Sequence, residues 1–132
     1  MTTKLNKHMP RRSEHAEQAA VIDWRDAMVA QWPELKYLHA IPNGGKRDVV
    51  TAVNMKREGV TRGVPDLSWP LARHMYHGLY IEMKVHPNTP QDEQVEFLNW
   101  LSSQGYCALV CYSAEEAIEA LKWYYTYDGL PF

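Results

Sequence analysis

The chain reads as a mixed α/β fold, one domain with a mixed central sheet and helices on its faces. Three observations predict this. Segments with helical apolar spacing alternate with short apolar runs in the order α-β-α-β-β-α-β-α. Two of the runs, 64–67 and 79–85, face each other across a polar loop longer than a two-residue turn and read as an antiparallel pair. The 132 residues, 45% of them hydrophobic, suffice for one core, and neither repeats nor a linker interrupt them.

Residues 1–12 are polar and basic and read as a flexible N-terminus, leaving 13–132 as the domain. Ser13 is an N-cap for a helix running to about Gln31, with Ala16, Ala20, Trp24, Ala27 and Met28 on its core face. Glu14 and Gln18 lie one turn apart on a flank of that face, and Glu17 falls nearer its middle. Pro33 ends the helix, and residues 35–41 form the first strand. Residues 49–58 form the next helix, closed by Gly59 as the C′ residue. After the strand pair, Pro87 to Pro90 make a turn. Thr89 caps a helix over 90–103 that buries Val95, Leu98 and Leu101 and ends at Gly105. Residues 106–112 are a compact apolar strand, and Ser113 caps a last helix to about Tyr124 with Ala117, Ile118 and Leu121 inward.

No run is apolar and long enough to span a bilayer, and the N-terminus lacks a signal-peptide pattern. Cys107 and Cys111 are the only cysteines. Four apart in a strand, they share a face as buried free thiols, which points to a reducing, cytoplasmic compartment. The net charge of −2 hides an asymmetry. Residues 1–89 carry 13 Lys+Arg against 9 Asp+Glu, whereas residues 90–132 carry one Lys against 7 Asp+Glu. The basic half permits a phosphate-facing surface. Within it, Asn43, Gly44 and Gly45 allow positive φ and close backbone approach, with Lys46 and Arg47 following and Arg62 further on. These six are the candidate nucleic-acid contacts; the plainer reading of the glycines is a turn.

The chemistry concentrates between Gly63 and Lys84. Pro65-Asp66 is followed by fifteen residues and then Glu82-Met83-Lys84. Strand alternation puts Glu82 and Lys84 on one face and Met83 on the other, and pairing of the two strands lays Asp66 beside Glu82. Two close carboxylates repel unless a cation separates them, and a hard divalent cation with oxygen ligands answers that need. A lysine beside it holds the attacking water or offsets developing phosphate charge, the requirements of metal-assisted phosphodiester cleavage. The bland alternative is an ordinary hairpin with a surface Glu-x-Lys pair. A helix carboxylate, Glu14 or Glu17, is a candidate third ligand; the alternative for each is a solvated glutamate favoured by the helix dipole.

Glu14-x-x-x-Gln18, Ile41-Pro42-Asn43-Gly44-Gly45, Gly59-x-x-x-Gly63-Val64-Pro65-Asp66-Leu67, Glu82-x-Lys84 and Gln94 occur in this order. Together they resemble a stand-alone VRR-NUC domain, a branch of the PD-(D/E)xK nuclease superfamily, over roughly residues 13–124. The resemblance implies a restriction-endonuclease-like fold. It implies Asp66 and Glu82 as direct metal ligands, the Met83 backbone carbonyl as a third, and Glu14 completing the site. Lys84 is then the catalytic lysine, and Gln94 the polar residue lining the site from the next helix. The cofactor implied is Mg²⁺ or Mn²⁺. Minimal members of the family are similar to Holliday-junction resolvases that act as homodimers on branched DNA, in a bacterial or phage-infected cell. Pro87-Asn88-Thr89-Pro90 departs from the glycine and basic residue common in the family at this turn, which puts phosphate contacts there in doubt. The competing readings are a non-catalytic nucleic-acid-binding module on a nuclease fold, and a nicking or restriction-type nuclease. The exposed-looking aromatics Trp123, Tyr124, Tyr125 and Tyr127 serve either as an interface or as a cap on the core.

Overall fold

A computed structural model describes residues 12–42 and 48–126. Residues 1–11, 43–47 and 127–132, Tyr127 among them, lie outside the described residues. Four strands form a mixed sheet in the order β1-β2-β3-β4: β1 His39–Ala40, β2 Leu67–Trp69, β3 Leu79–Met83 and β4 Cys107–Cys111. The first three are antiparallel neighbours, and β3 and β4 run parallel. Among the described residues the sheet is accompanied by α-helices α1 Glu14–Met28, α2 Val49–Arg57, α3 Asp92–Ser103 and α4 Ala114–Thr126. This is the mixed sheet flanked by helices that the sequence predicts.

Local rules account for the helix ends. The Ser13 hydroxyl accepts the Ala16 N–H at 3.1 Å, satisfying a donor that the first turn leaves free. Asp48 does the same for Thr51 N at 2.8 Å ahead of α2. Gly59 and Gly105 take positive φ, 100° and 88°, as C′ residues. The Ser113 hydroxyl accepts Glu116 N at 3.1 Å, and the Glu116 carboxylate takes Tyr112 N in return.

Leu79, Ile81 and Met83 point from β3 into the main core, which Val21 of α1 and Ala117, Leu121 and Tyr124 of α4 close. The two cysteines lie in this core as free thiols, and burial pushes Cys107 up to about 11 and Cys111 to about 12. They are packing groups rather than nucleophiles. Helix α3 packs against β4 with Leu98 and Leu101 buried apart from that cluster. Glu82 and Lys84 alternate onto the face opposite Met83, where Gln94 of α3 meets Glu82.

Several expectations are corrected. The stretch 35–41 is not one strand. It is a 3₁₀ helix, Pro33–Tyr37, followed by the two residues of β1. Pro33 starts the tight turn, and Leu35 and Leu38, three apart, are both buried at that period. Helix α1 stops at Met28, short of Gln31, and Ala27 is exposed, whereas Val21 is its buried centre. The strand expected over 64–67 starts at Leu67, because Pro65 has no N–H to give a ladder. It runs on through Trp69, which is fully buried and donates its indole N–H to the Glu34 carbonyl at 2.9 Å. Helix α3 begins after Gln91 rather than at Pro90, and Val95 is exposed. The C-terminal aromatics divide. Tyr124 is fully buried and Tyr125 stacks on Trp32 at 4.4 Å, so both cap the core, whereas Trp123 is part-exposed against His74.

Candidate active site

The site grows from the pairing of β2 and β3. Leu67 lies opposite Ile81, so the preceding Asp66 falls beside Glu82. The Asp66 carbonyl accepts Ile41 N at 2.8 Å, and its Oδ2 accepts Met83 N at 2.7 Å. One backbone amide of the Glu82-Met83-Lys84 run thereby fixes the Asp66 side chain. Met83 itself turns its thioether into the core, 2% exposed.

Glu82 is 1% exposed, an unusual place for a carboxylate. Its Oε1 accepts Gln94 Nε2 at 2.8 Å, and Lys84 Nζ lies 3.7 Å away. Gln94 is itself held, since its Oε1 accepts Gln91 N at 2.8 Å across the first turn of α3. The amide is thus oriented with its donor toward Glu82. Burial, and next the Asp66 carboxylate, push the Glu82 pKa up to about 8; Lys84 opposes that rise and Glu14 adds to it.

Lys84 is buried, and its ammonium bridges acids from two elements: Glu82 of β3 at 3.7 Å and Glu14 Oε1 of α1 at 3.6 Å. Both distances indicate ion pairs looser than a hydrogen bond. Glu82 Oε2 and Glu14 Oε1 are buried and accept no hydrogen bond. Such oxygens are costly without a partner, and they are oxygen donors of the kind a hard cation takes. Among the described residues, no three histidine, cysteine, aspartate or glutamate side chains are grouped closely enough to hold an ion by themselves. The available set is the Asp66–Glu82 pair, with Glu14 across Lys84.

The two helix glutamates have different surroundings. Glu17, nearer the apolar stripe as expected, is buried and its Oε2 accepts Ala114 N at 2.8 Å, with Arg12 Nη1 3.9 Å away. It caps the start of α4 instead of facing Lys84. Arg62 is exposed on the loop before β2, near α3. Asn43, Gly44, Gly45, Lys46 and Arg47 lie outside the described residues. Sequence reasoning missed Gln91 and the capping role of Glu17. The Gln-x-x-Gln spacing at 91 and 94 carries the first signal; nothing local marks Ala114 as the partner of Glu17.

The family model for the VRR-NUC domain matches residues 3–115. The chain belongs to the VRR-NUC domain family. A solved structure described as a VRR_NUC domain protein is similar to it, with a TM-score of 0.75 at 30% identity over 92% of this chain and 98% of that one. Among curated proteins none matches. The VRR-NUC assignment gives the chain a nuclease-type fold, and the Asp66–Glu82–Lys84 constellation occupies the hairpin that its sequence pattern marks.

Proposed function

We propose that this VRR-NUC protein is a divalent-metal-dependent, structure-selective DNA endonuclease of Holliday-junction-resolvase type. The observation that carries the reading is Glu82. A carboxyl group 1% exposed, with one oxygen accepting no hydrogen bond and the Asp66 carboxylate beside it, is costly to ionise in the metal-free chain, and a bound divalent cation would favour its charged form.

Asp66, Glu82 and the Met83 backbone carbonyl would hold the ion, with Glu14 completing the site. An all-oxygen donor set favours Mg²⁺ or Mn²⁺ over softer metals. Bound there, the ion supplies Lewis-acid charge at the scissile phosphate and lowers the pKa of water. The chain does the rest. Lys84 orients the attacking water and offsets charge on the phosphoryl oxygens as water adds to phosphorus and the bond to the leaving oxygen breaks. Gln94 keeps Glu82 in one rotamer, and the Met83 amide keeps Asp66 in another.

A homodimer suits a two-fold junction, which needs two coordinated cuts. The exposed apolar surface that supports it is α2, where Val49, Val50 and Val53 are 78%, 70% and 52% exposed and no residue is buried. The C-terminal Tyr124 and Tyr125 are occupied in the core. No helix among the described residues is long and apolar enough to cross a membrane. The free buried cysteines fit a reducing, cytoplasmic setting.

The test is cleavage of linear duplex, flap and four-way-junction DNA with and without Mn²⁺. Metal-dependent, symmetric cutting of the junction is expected. Flap cutting with junctions left whole refutes the resolvase assignment. DNA binding without any cutting favours a non-catalytic module, and sequence-dependent cutting of linear duplex favours a nicking or restriction-type enzyme.

A further inference from the structure

On the flank of α3 away from Glu82 lies an open cleft of about 640 Å³. Phe97 and Trp100 give it apolar walls, and Arg62, Glu93, Glu96 and Asn99 supply its polar groups. Trp100 is 62% exposed and stacks on no other ring among the described residues. The indole thus offers the cleft a flat, amphipathic face for a planar partner.

The cleft adjoins the active site through the backbone. A Cβ on Gly63 would lie 2.6 Å from the Glu93 carbonyl, so the 61–63 loop and the first turn of α3 touch directly. Gly63 takes a φ of +91°, which favours glycine at that contact. The next residue of α3, Gln94, donates to Glu82, and Asp66 follows three residues after Gly63. The cleft therefore starts at the residue before Gln94 and runs along the same helix to Trp100, six residues beyond it.

Its chemistry selects among nucleic-acid parts. Glu93 and Glu96 disfavour a phosphate, whereas an aromatic wall stacks any base. Carboxylates accept from exocyclic amino groups, and Arg62 and Asn99 donate to ring nitrogens and carbonyls. A base stacked in continuous duplex hides both of its faces, so only an unstacked base can use the aromatic wall together with these polar groups.

We infer that this cleft is a subsite for an unpaired nucleobase, seated on Trp100 along the helix that carries Gln94, through which the protein distinguishes DNA with an unpaired base from continuous duplex. The inference rests on the nuclease reading and supplies its selectivity. The base comes from the DNA being cut; a second copy of this chain in the same cleft is the competing occupant.

The test measures binding of the full chain in EDTA to a gapped duplex carrying 2-aminopurine at its unpaired position, and to a fully paired duplex of the same length. The wild type is expected to bind the gapped DNA more tightly and to quench the 2-aminopurine. Trp100→Ala should lower the ratio of gapped to paired affinity on the order of ten-fold, the scale of one lost base–aromatic stack, and abolish quenching. Trp100→Phe should restore most of both. An unchanged ratio in Trp100→Ala, or a wild type that prefers neither DNA, overturns the subsite. So does a Trp100→Ala protein whose mass by light scattering is halved with both affinities falling together, since the cleft then holds another subunit. Mn²⁺-dependent cleavage of the same DNAs by wild type, run in parallel, separates loss of the subsite from loss of the nuclease reading. Cutting without base selectivity removes only the former, and absence of cutting removes the latter.

Discussion

Replacing Glu82 by Gln should stabilise the metal-free protein, increasingly so as pH rises. Burial and Asp66 hold the Glu82 carboxyl at about 8 against an ordinary 4.5. The folded chain therefore keeps a proton at pH 7 that the unfolded chain releases. Stability from this group is fully present below 4.5 and is lost as pH climbs through 8. At about 1.36 kcal/mol per pH unit, the interval between these values sets a ceiling of roughly 5 kcal/mol. That is a large share of the ~5–15 kcal/mol that holds a domain together. Gln keeps the shape and the acceptor for Gln94 Nε2, but it never ionises. Urea unfolding in EDTA at pH 5, 7 and 9 measures the effect. The advantage of Glu82→Gln over wild type should widen by about 2–5 kcal/mol from pH 5 to pH 9. The same comparison with Mn²⁺ at pH 8 should reverse it, raising the melting temperature of the wild type alone. Parallel stability curves for the two proteins from pH 5 to 9 would refute the reasoning, because Glu82 would then titrate normally despite its burial.

Lys84→Ala should lower turnover by at least about 100-fold while leaving DNA affinity near wild type, since many other cations can hold the backbone; single-turnover cleavage beside a filter-binding titration checks both, and wild-type turnover removes the lysine from the mechanism. Glu14→Gln should cut activity and Mn²⁺ affinity with little effect on melting. Glu17→Ala should instead cost about 1–3 kcal/mol of stability, because Ala114 N would be left buried without its acceptor; calorimetric Mn²⁺ titration and thermal melts of both variants reveal any exchange of roles. Val53→Asp on α2 should convert a dimer to a monomer in light scattering and abolish paired junction cuts, with stability within ~0.5 kcal/mol of a surface change.

Much of this was legible because it is local. Ser13, Gly59, Gly105 and Ser113 mark helix ends through rules that span a few residues. The Asp66–Glu82 pairing follows from two-residue alternation once the strands are antiparallel. The misreadings occur where distant partners decide. Leu35 and Leu38 reach the core at a period of three, so a stretch that scans as β-like is wound into a 3₁₀ turn. Trp69 extends β2 because Glu34, far back in the chain, takes its indole N–H. Tyr124 and Tyr125 resemble a sticky surface in sequence and are core in space, because the aromatic partners Trp32 and Trp69 lie on other elements. Glu14 is favoured over Glu17 in sequence by the Glu14-x-x-x-Gln18 pattern alone; the partners that separate them, Lys84 and the α4 N-terminus, are distant in the chain.

That separation of the two glutamates explains how the candidate site can be preorganised without being rigidly bonded. Lys84 holds Glu14 and Glu82 at 3.6 and 3.7 Å, too loosely to fix α1 by itself. One turn along, Glu17 supplies the fixed point: a buried 2.8 Å hydrogen bond to Ala114 N that ties α1 to the first turn of α4. Helix α4 is in turn anchored by the fully buried Ala117, Leu121 and Tyr124. The position of Glu14 at the candidate site is thus set through the core and not through its ion pair with Lys84. Its carboxylate, 42% exposed, meets Lys84 only through that loose ion pair, while the helix that carries it is tied to α4 by Glu17. A site held together only by its own ion pairs would have to break them to work; here the strong fastening lies one turn away from the candidate ligand.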